Sequence, residues 1–303
     1  MSLTSPYQPL HLPRSEQHTF NGHAYHVRRW GPHDAPLLVM LHGWMDCADT
    51  FQFVADHLAG HWQIVAPDWR GFGHSAWNSG SYYSPDYLAD LDAMLQHYSP
   101  HRAANLVGHS MGAMVTGLYA GIRPDRVARL ALVEGFGLAA TRPAEAPGRY
   151  ARWLREKQQP PAFTAVGSLD DVAAKLQARN PRMALPYAQH MAAALCRQQD
   201  GLWHYRADPR HKMVNPVLYR LEEAKACWQR ISAPVLWVIG GDMWDHPMAK
   251  GVFDTLPERR ACFAALTETT IADAGHMIQW EQPAALADTL DRIAADPAVR
   301  VVI

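Results

Sequence analysis

The sequence lacks three features: a surplus of charge of one sign, paired cysteines and long hydrophobic runs. Its 28 lysines and arginines nearly balance 29 aspartates and glutamates, so neither nucleic acid nor a strongly charged partner is expected. The four cysteines form no C-x-x-C pair, which predicts free thiols in a reducing compartment. No run of about 18 apolar residues predicts a membrane span, and residues 1–17 lack the apolar stretch of a signal peptide. These absences predict a cytoplasmic protein.

Histidine is abundant, but its spacing predicts no metal site. The 17 histidines form no H-E-x-x-H motif. The nearest pair at helical spacing, His97 and His101, is interrupted by Pro100, which breaks a helix. We therefore expect neither a metal ion nor a cofactor, and we expect most of these histidines to be solvated or satisfied within the core.

A serine flanked by glycines is the most informative local feature, in the pentapeptide GHSMG at residues 108–112. A short apolar run precedes it and small or apolar helix-forming residues follow, so the pattern predicts a strand, a tight turn and a helix. The turn is so sharp that a Cβ at either glycine would clash with its neighbours. Such a turn raises the hydroxyl of Ser110 above a helix N-terminus, where free N–H groups stabilise an oxyanion. The sequence therefore predicts Ser110 as a nucleophile.

A second loop is expected to help bind the oxyanion. The apolar run Leu37–Leu41 is typical of a strand buried on both faces, and the tripeptide His42-Gly43-Trp44 follows it. A loop at this place can offer the backbone N–H of Trp44 to a substrate's carbonyl oxygen. Its expected partner is the N–H of Met111, directly after the nucleophile. The two backbone groups form the predicted oxyanion hole.

Strands and helices alternate along most of the chain. The dipeptide Asn21-Gly22 is a hairpin signal between two antiparallel edge strands predicted within residues 18–30. Asp68 lies at a strand end, and we expect it to brace its loop rather than act in catalysis. Buried strands are predicted at 37–41, 62–67, around 106–107, and at 127–133, 234–240 and near 262–271. Core helices are predicted at 50–58, 84–98, from the serine turn to 122, near 246–256 and at 283–295.

The alternation lapses between about residues 141 and 230, where the periodicity is helical. Helices are predicted there at 148–158, 169–179 and 187–197. We therefore predict an α/β core of residues 1–138 and 231–303, with a helical cap of residues 139–230 inserted after the sixth strand.

Taken together, these motifs resemble the α/β-hydrolase superfamily along nearly the full length of the chain. The matching pieces are the loop at 42–44, DWRGFG at 68–73, GHSMG at 108–112 and Gly275-His276. More narrowly, HGWMD at 42–46 and DGLWHYR at 200–206 look like serine hydrolases grouped with serum hydrolase-like and epoxide-hydrolase-like proteins. The resemblance implies a mostly parallel sheet with flanking helices and an inserted cap. His276 lies in a small-residue loop between a late strand and the last helix, and it is the expected general base.

The acidic partner of His276 is open between two carboxylates. The superfamily usually places it after the seventh strand in a G-x-x-D pattern, but three residues after Gly240 the chain has Met243. Asp242 lies one residue early and Asp245 two residues late. Some relatives instead carry the acid at the end of the sixth strand, where this chain has Glu134. We favour Glu134, because the two strand ends are neighbours, and keep Asp242 as the alternative.

The sequence thus predicts a cofactor-free serine hydrolase that cleaves a small to medium, fairly apolar carboxylic ester through an acyl-enzyme. Hydrolysis of a C–C bond or a thioester by the same residues is one alternative, and a ligand receptor without turnover is another. Serine at the turn counts against haloalkane dehalogenase and epoxide hydrolase chemistry, both of which use aspartate there in this fold. The expected partner is a small ester-like molecule, and the protein is expected to be a monomer or homodimer.

Overall fold

The computed structural model describes residues 5–244 and 250–295. Its strands are β1 (Arg14–Phe20), β2 (His23–Trp30), β3 (Leu37–Leu41), β4 (Gln63–Pro67), β5 (Ala104–His109), β6 (Val127–Val133), β7 (Cys196–Gln199), β8 (Leu202–Tyr205), β9 (Val235–Gly240) and β10 (Leu266–Ile271). Its helices are α1 (Gln52–Leu58), α2 (Ser84–Tyr98), α3 (Met111–Ile122), α4 (Ala146–Gln158), α5 (Leu169–Arg179), α6 (Leu185–Leu195), α7 (Leu221–Trp228), α8 (Lys250–Phe253), α9 (Leu256–Arg260), α10 (Ile278–Glu281) and α11 (Pro283–Ala295).

Eight of these strands form one sheet in the order β1-β2-β4-β3-β5-β6-β9-β10. The first three pair antiparallel, and every pairing from β4 to β10 is parallel. The predicted hairpin exists, but the prediction that both of its strands lie at the edge is wrong for β2. That strand also pairs with β4, and its buried side chains, such as Tyr25 and Val27, show that it lies inside the sheet.

The sheet separates two layers of core because the side chains of a strand alternate between its faces. In β9, Trp237 and Ile239 join the layer under α2, α3 and α7, whereas Leu236 and Val238 join the layer under α1 and α11. The parallel strands therefore read as continuous apolar runs, as the sequence predicted for 37–41, 127–133 and 234–240. No helix in the described ranges is long and apolar enough to cross a membrane.

Residues 139–230, called the inserted segment below, run between β6 and β9. A third apolar cluster joins this segment to the core, where Phe53 of α1 stacks on Tyr187 of α6 with ring centroids 4.0 Å apart. The helix predicted at 187–197 ends at Leu195, since β7 and β8 form a hairpin around Asp200-Gly201, both at positive φ. The last helix, α7, packs on α3 of the core. The division at 139–230 stays a prediction.

Two further boundaries differ from the sequence prediction. The strand predicted near 262–271 begins at Leu266, because residues 256–260 form α9 and Cys262 follows it. Part of the helix predicted near 246–256 lies outside the described residues; within them, α8 ends at Phe253, a turn follows at 254–255, and α9 begins at Leu256.

Candidate active site

The sharp turn predicted around Ser110 is present between β5 and α3. Ser110 adopts φ 52° and ψ −112°, a backbone conformation that residues other than glycine rarely adopt and that costs about 1–3 kcal/mol. Its N–H donates to the carbonyl of Val133 at 2.9 Å, which fixes the turn to the end of the neighbouring strand β6. The serine is thus held at the carboxyl edge of the sheet, ahead of the first turn of α3.

Gly112 allows the turn to approach β3. A Cβ at this position would lie 2.0 Å from the carbonyl oxygen of Leu41 and 2.9 Å from that of His42. We expect Gly112→Ala to lower the free energy of unfolding by about 3 kcal/mol, because backbone must move to admit the methyl group. Gly80→Ala is the matched control, since no atom lies within 4 Å of a Cβ there. Urea denaturation measures both; equal stability of the two variants would contradict the expectation.

The structure brings Ser110, His276 and Glu134 together. The Oγ of Ser110 lies 3.0 Å from Nε2 of His276, and Nδ1 of His276 lies 3.3 Å from Oε2 of Glu134. With the proton on Nδ1, the imidazole donates to the carboxylate and its Nε2 accepts from the serine hydroxyl. The second carboxylate oxygen, Oε1, accepts from the N–H of Gly240 at 2.6 Å. Glu134 therefore lies at the end of β6 and is bound to the end of β9, with its side chain only 5% exposed.

The alternative acid lies elsewhere. Asp242 follows β9, its side chain is 47% exposed, and both of its oxygens accept from the guanidinium of Arg182 in the inserted segment. Met243, at the position of the usual acid, is buried. Asp245 lies outside the described residues. Of the two carboxylates weighed from the sequence, Glu134 is thus the one within hydrogen-bonding distance of His276.

The loop after β3 lies directly against Ser110, since a Cβ on Gly43 would be 3.1 Å from the Cβ of Ser110. His42 orients this loop: its Nδ1–H donates to the carbonyl of Gly43 at 2.8 Å, and its Nε2 accepts from the N–H of Trp69 at 2.9 Å. The carbonyl of Gly43 and the N–H of Trp44 share one trans peptide plane and point in opposite directions. By fixing the carbonyl, His42 also fixes the direction of the Trp44 N–H.

The second predicted donor is the N–H of Met111. It belongs to the first residue of α3, so no carbonyl four residues earlier in the same helix accepts from it. Burial lowers the pKa of His42 to about 4, so this ring stays neutral at physiological pH and keeps its Nδ1–H. Both predicted oxyanion donors therefore belong to backbone that the fold holds in place.

Sequence reasoning missed the role of His109, the residue before the serine. Its buried ring donates from Nε2 to the carbonyl of His276 at 2.9 Å, and its Nδ1 lies 3.3 Å from the side-chain nitrogen of Gln279. That nitrogen also donates to Thr50 at 3.2 Å. Burial lowers the pKa of His109 to about 3, so the ring is neutral. The loop that carries His276 is therefore hydrogen-bonded to the residue beside Ser110. The only sequence signal for this contact was the presence of a histidine in GHSMG.

Asp68 braces its loop, as expected from the sequence. Its buried carboxylate accepts from the N–H groups of Ala48 at 2.7 Å and His74 at 2.8 Å, and from Nδ1–H of His26 at 2.7 Å. These bonds join the loop after β4 to β2 and to the turn before α1. Asp68 therefore serves the framework around the loop of His42.

Asp46 is a buried carboxyl in the same loop as Trp44, and burial raises its pKa to about 7 from 3.8. A carboxyl whose pKa is higher in the folded chain stabilises the fold below the unfolded pKa, and this contribution is lost as the pH rises through the folded value. Wild type loses this contribution between about pH 5 and about pH 8, whereas asparagine does not titrate. The free energy of unfolding of Asp46→Asn minus that of wild type is therefore expected to rise by more than about 1 kcal/mol from about pH 5 to about pH 8.

Urea denaturation at the two pH values measures this difference. Asp34→Asn, at an exposed carboxyl, controls for the loss of one negative charge. A gain for Asp46→Asn that is the same at both pH values would show that the carboxyl does not titrate between them in the folded protein.

An apolar cavity of about 170 Å³ opens beside Ser110 and His276. Its walls are mainly aliphatic and aromatic side chains from the ends of β6 and β9 and from α3 and α8; they include Met114, Phe136, Leu138, Trp237, Ile239, Met243, Val252 and Phe253. Among the described residues, no group of three or more His, Cys, Asp or Glu side chains is arranged to hold a metal ion. The cavity can accept a small neutral group next to the serine.

The fold agrees with the family that the chain matches. A family model described as the alpha/beta hydrolase fold matches residues 36–283, and the chain belongs to this family. It is a hydrolase of the α/β fold, so the predicted family and fold class are confirmed. A serine hydrolase-like protein of Danio rerio is 24% identical over 220 residues, covering 70% of this chain and 67% of the fish protein.

Two further similarities extend along most of the chain. An esterase of Mycobacterium tuberculosis is 27% identical over 284 residues, which cover 90% of this chain and 87% of the esterase. The solved thioesterase domain from the curacin biosynthetic pathway superposes with a TM-score of 0.81 at 23% identity, covering 92% of this chain and 99% of that domain. At this level of identity, the similarity to the thioesterase domain shows that the two chains share a fold.

Proposed function

We propose that the protein is a serine hydrolase that cleaves carboxylic esters through a Ser110–His276–Glu134 triad. The observation that carries the proposal is the unbroken chain of polar contacts, 3.0 Å from Ser110 to His276 and 3.3 Å from His276 to Glu134. In this arrangement an imidazole can take the serine proton while a carboxylate stabilises the imidazolium that forms. The strained turn presents the hydroxyl beside the cavity.

The reaction has two halves. As the Oγ of Ser110 bonds to the acyl carbon, its proton passes to Nε2 of His276, and the carbonyl oxygen becomes an oxyanion held by the N–H groups of Trp44 and Met111. The bond to the leaving alkoxide then breaks as His276 returns the proton to it. Water repeats the sequence on the acyl-enzyme and releases the acid. Glu134 keeps the proton of the neutral imidazole on Nδ1, so Nε2 stays free to accept.

The cavity supports a small, fairly apolar substrate group. Its volume of about 170 Å³ is close to that of engineered apolar protein cavities of about 150 Å³ that bind benzene. Among the described residues, its walls bring carbon surface and no Lys or Arg side chain to the serine. The proposal therefore favours an acyl or alcohol group of about four to six carbons without charge.

Hydrolysis of p-nitrophenyl acetate, butyrate and hexanoate by the purified protein tests the proposal, together with labelling by a fluorophosphonate. We expect turnover that is fastest with butyrate or hexanoate, and a covalent adduct mapped to Ser110 by peptide mass spectrometry. Thioester and β-diketone analogues run in parallel distinguish the alternative bonds. The absence of both turnover and labelling would reject the serine hydrolase and favour a receptor.

A further inference from the structure

A hydrogen bond crosses from the inserted segment to the predicted oxyanion loop. The indole Nε1–H of Trp44 donates to the carbonyl of His211 at 3.3 Å, although 52% of Trp44 is exposed. His211 lies in the turn at Pro209–Lys212, between β8 and α7. The same residue that offers a predicted oxyanion donor through its backbone is therefore tied through its side chain to the inserted segment.

The carbonyl that receives this bond belongs to a firmly held residue. The ring of His211 is stacked between Phe72 and Tyr82, with centroid distances of 3.8 Å and 3.6 Å. Its Nε2–H donates to the carbonyl of Arg70 at 3.2 Å. Burial lowers the pKa of His211 to about 3, so the ring stays neutral near pH 7. Phe72 in turn contacts the ring of His42 edge to face at 5.5 Å.

A buried carboxylate seats this part of the inserted segment on the core. Asp208 accepts from the hydroxyl of Tyr82 at 2.7 Å, and its N–H donates to the carbonyl of Gly71 at 2.8 Å. Gly71 has φ +79°, and a Cβ there would lie 2.3 Å from the Tyr82 hydroxyl and 2.4 Å from Nε2 of His211. Glycine thus allows His211 and Tyr82 to close over the loop after β4.

We propose that Trp44 is a positioning residue through which the seated inserted segment holds the oxyanion loop. The proposal rests on the proposed hydrolase function. The peptide between Gly43 and Trp44 has two anchors: His42, from the core, fixes its carbonyl, and the indole of Trp44 fastens the following residue to His211. When the inserted segment shifts, the second anchor is lost and the N–H of Trp44 leaves its place beside the substrate oxygen. Oxyanion stabilisation is thereby coupled to the seating of this segment.

Trp44→Phe tests the coupling, because phenylalanine keeps an aromatic ring and lacks the N–H. Misplacement of a reacting or stabilising group by about 1 Å costs about 100-fold in rate, so we expect kcat for p-nitrophenyl butyrate to fall about 10- to 100-fold with KM within about twofold. The rate of fluorophosphonate labelling should fall in parallel. Trp77→Phe is the matched control, since Nε1 of Trp77 also donates to a carbonyl of the inserted segment, that of Arg206, at 2.9 Å.

The control separates positioning from general docking of the segment. Trp77→Phe is expected to keep kcat within about twofold of wild type. Unchanged kcat in Trp44→Phe overturns the proposal, as does an equal loss in Trp77→Phe. A rise in KM alone would also overturn it, because Trp44 would then contact substrate in the ground state rather than orient the loop.

A double-mutant cycle with His211→Ala gives a second reading. His211→Ala keeps the accepting carbonyl but removes the ring that holds it in place. If the ring acts on kcat through the bond to Trp44, the double variant loses no more kcat than the less active single variant; independent losses that multiply would contradict the coupling. Wild-type turnover and the labelling of Ser110 report the proposed function separately. If both fail, the proposed function falls and this inference with it; if both hold and Trp44→Phe behaves as wild type, only the inference falls.

Discussion

Replacing Ser110 with alanine is expected to lower kcat for ester hydrolysis by about 10⁶-fold, the size of loss seen when the nucleophile of another triad hydrolase is removed. The variant lacks the oxygen that lies 3.0 Å from Nε2 of His276, so no acyl-enzyme can form. Initial rates with p-nitrophenyl butyrate measure the loss. Thermal melting should show a folded protein, because alanine keeps the Cβ and the backbone hydrogen bond to Val133.

Ser99→Ala provides the control for serine loss in general. The hydroxyl of Ser99 donates to the carbonyl of Arg102 at the end of α2, and its removal should leave kcat unchanged. A Ser110→Ala protein that retains more than about 1% of wild-type kcat would show that another group attacks the ester.

The second large effect concerns the two carboxylates. Glu134→Gln is expected to lower kcat by about 10⁴-fold, as with the corresponding neutral substitution in another triad hydrolase. Glutamine has nearly the same shape and can still accept from Gly240, but it carries no charge to stabilise the imidazolium. Its amide group can also donate to Nδ1 of His276, which would leave the imidazole proton on Nε2, the atom that must accept from Ser110.

Asp242→Asn is the matched comparison, because it removes one carboxylate charge from the same edge of the sheet. Asp242 is half exposed and bound to Arg182, and exposed ion pairs contribute little. Its kcat should stay within about threefold of wild type. A large loss in Asp242→Asn beside a small one in Glu134→Gln would transfer the acidic role to Asp242.

The sequence was most informative where function depends on local backbone. The turn at Ser110 needs glycine at 108 because a Cβ there would lie 2.5 Å from backbone atoms of Gly112 and Ala113 in the same turn, so its motif can be recognised within five residues. Apolar runs likewise predicted parallel strands, because a strand that is buried on both faces carries apolar side chains at successive positions. His276 could be expected from its place before the last helices, in a loop of small residues.

The sequence was least informative where function depends on neighbours in space. Glu134 is favoured only through the resemblance to relatives, because counting from Gly240 cannot show that β6 and β9, about a hundred residues apart, pair side by side. The bond from Trp44 to His211 depends on how the inserted segment packs, which periodicity does not encode. The hairpin of β7 and β8 was missed because helical composition runs up to its turn.

The fastening of His276 through His109 and Gln279 lies wholly outside the inserted segment. The base is thus tied to the residue beside the nucleophile without any residue of 139–230, although Glu281, which accepts from the N–H of Gly275 at 2.7 Å, also accepts from the N–H of Arg182 in that segment at 3.3 Å. A chimaera that exchanges this segment for another would keep the bonds of His109 and Gln279, and would need to restore the contacts of the segment with the core, among them the carbonyl near Trp44 and the N–H that reaches Glu281. Apart from Ala139, the described residues that line the cavity lie outside 139–230, so such an exchange would alter the support of the oxyanion loop while the cavity walls and the reacting pair stay as they are.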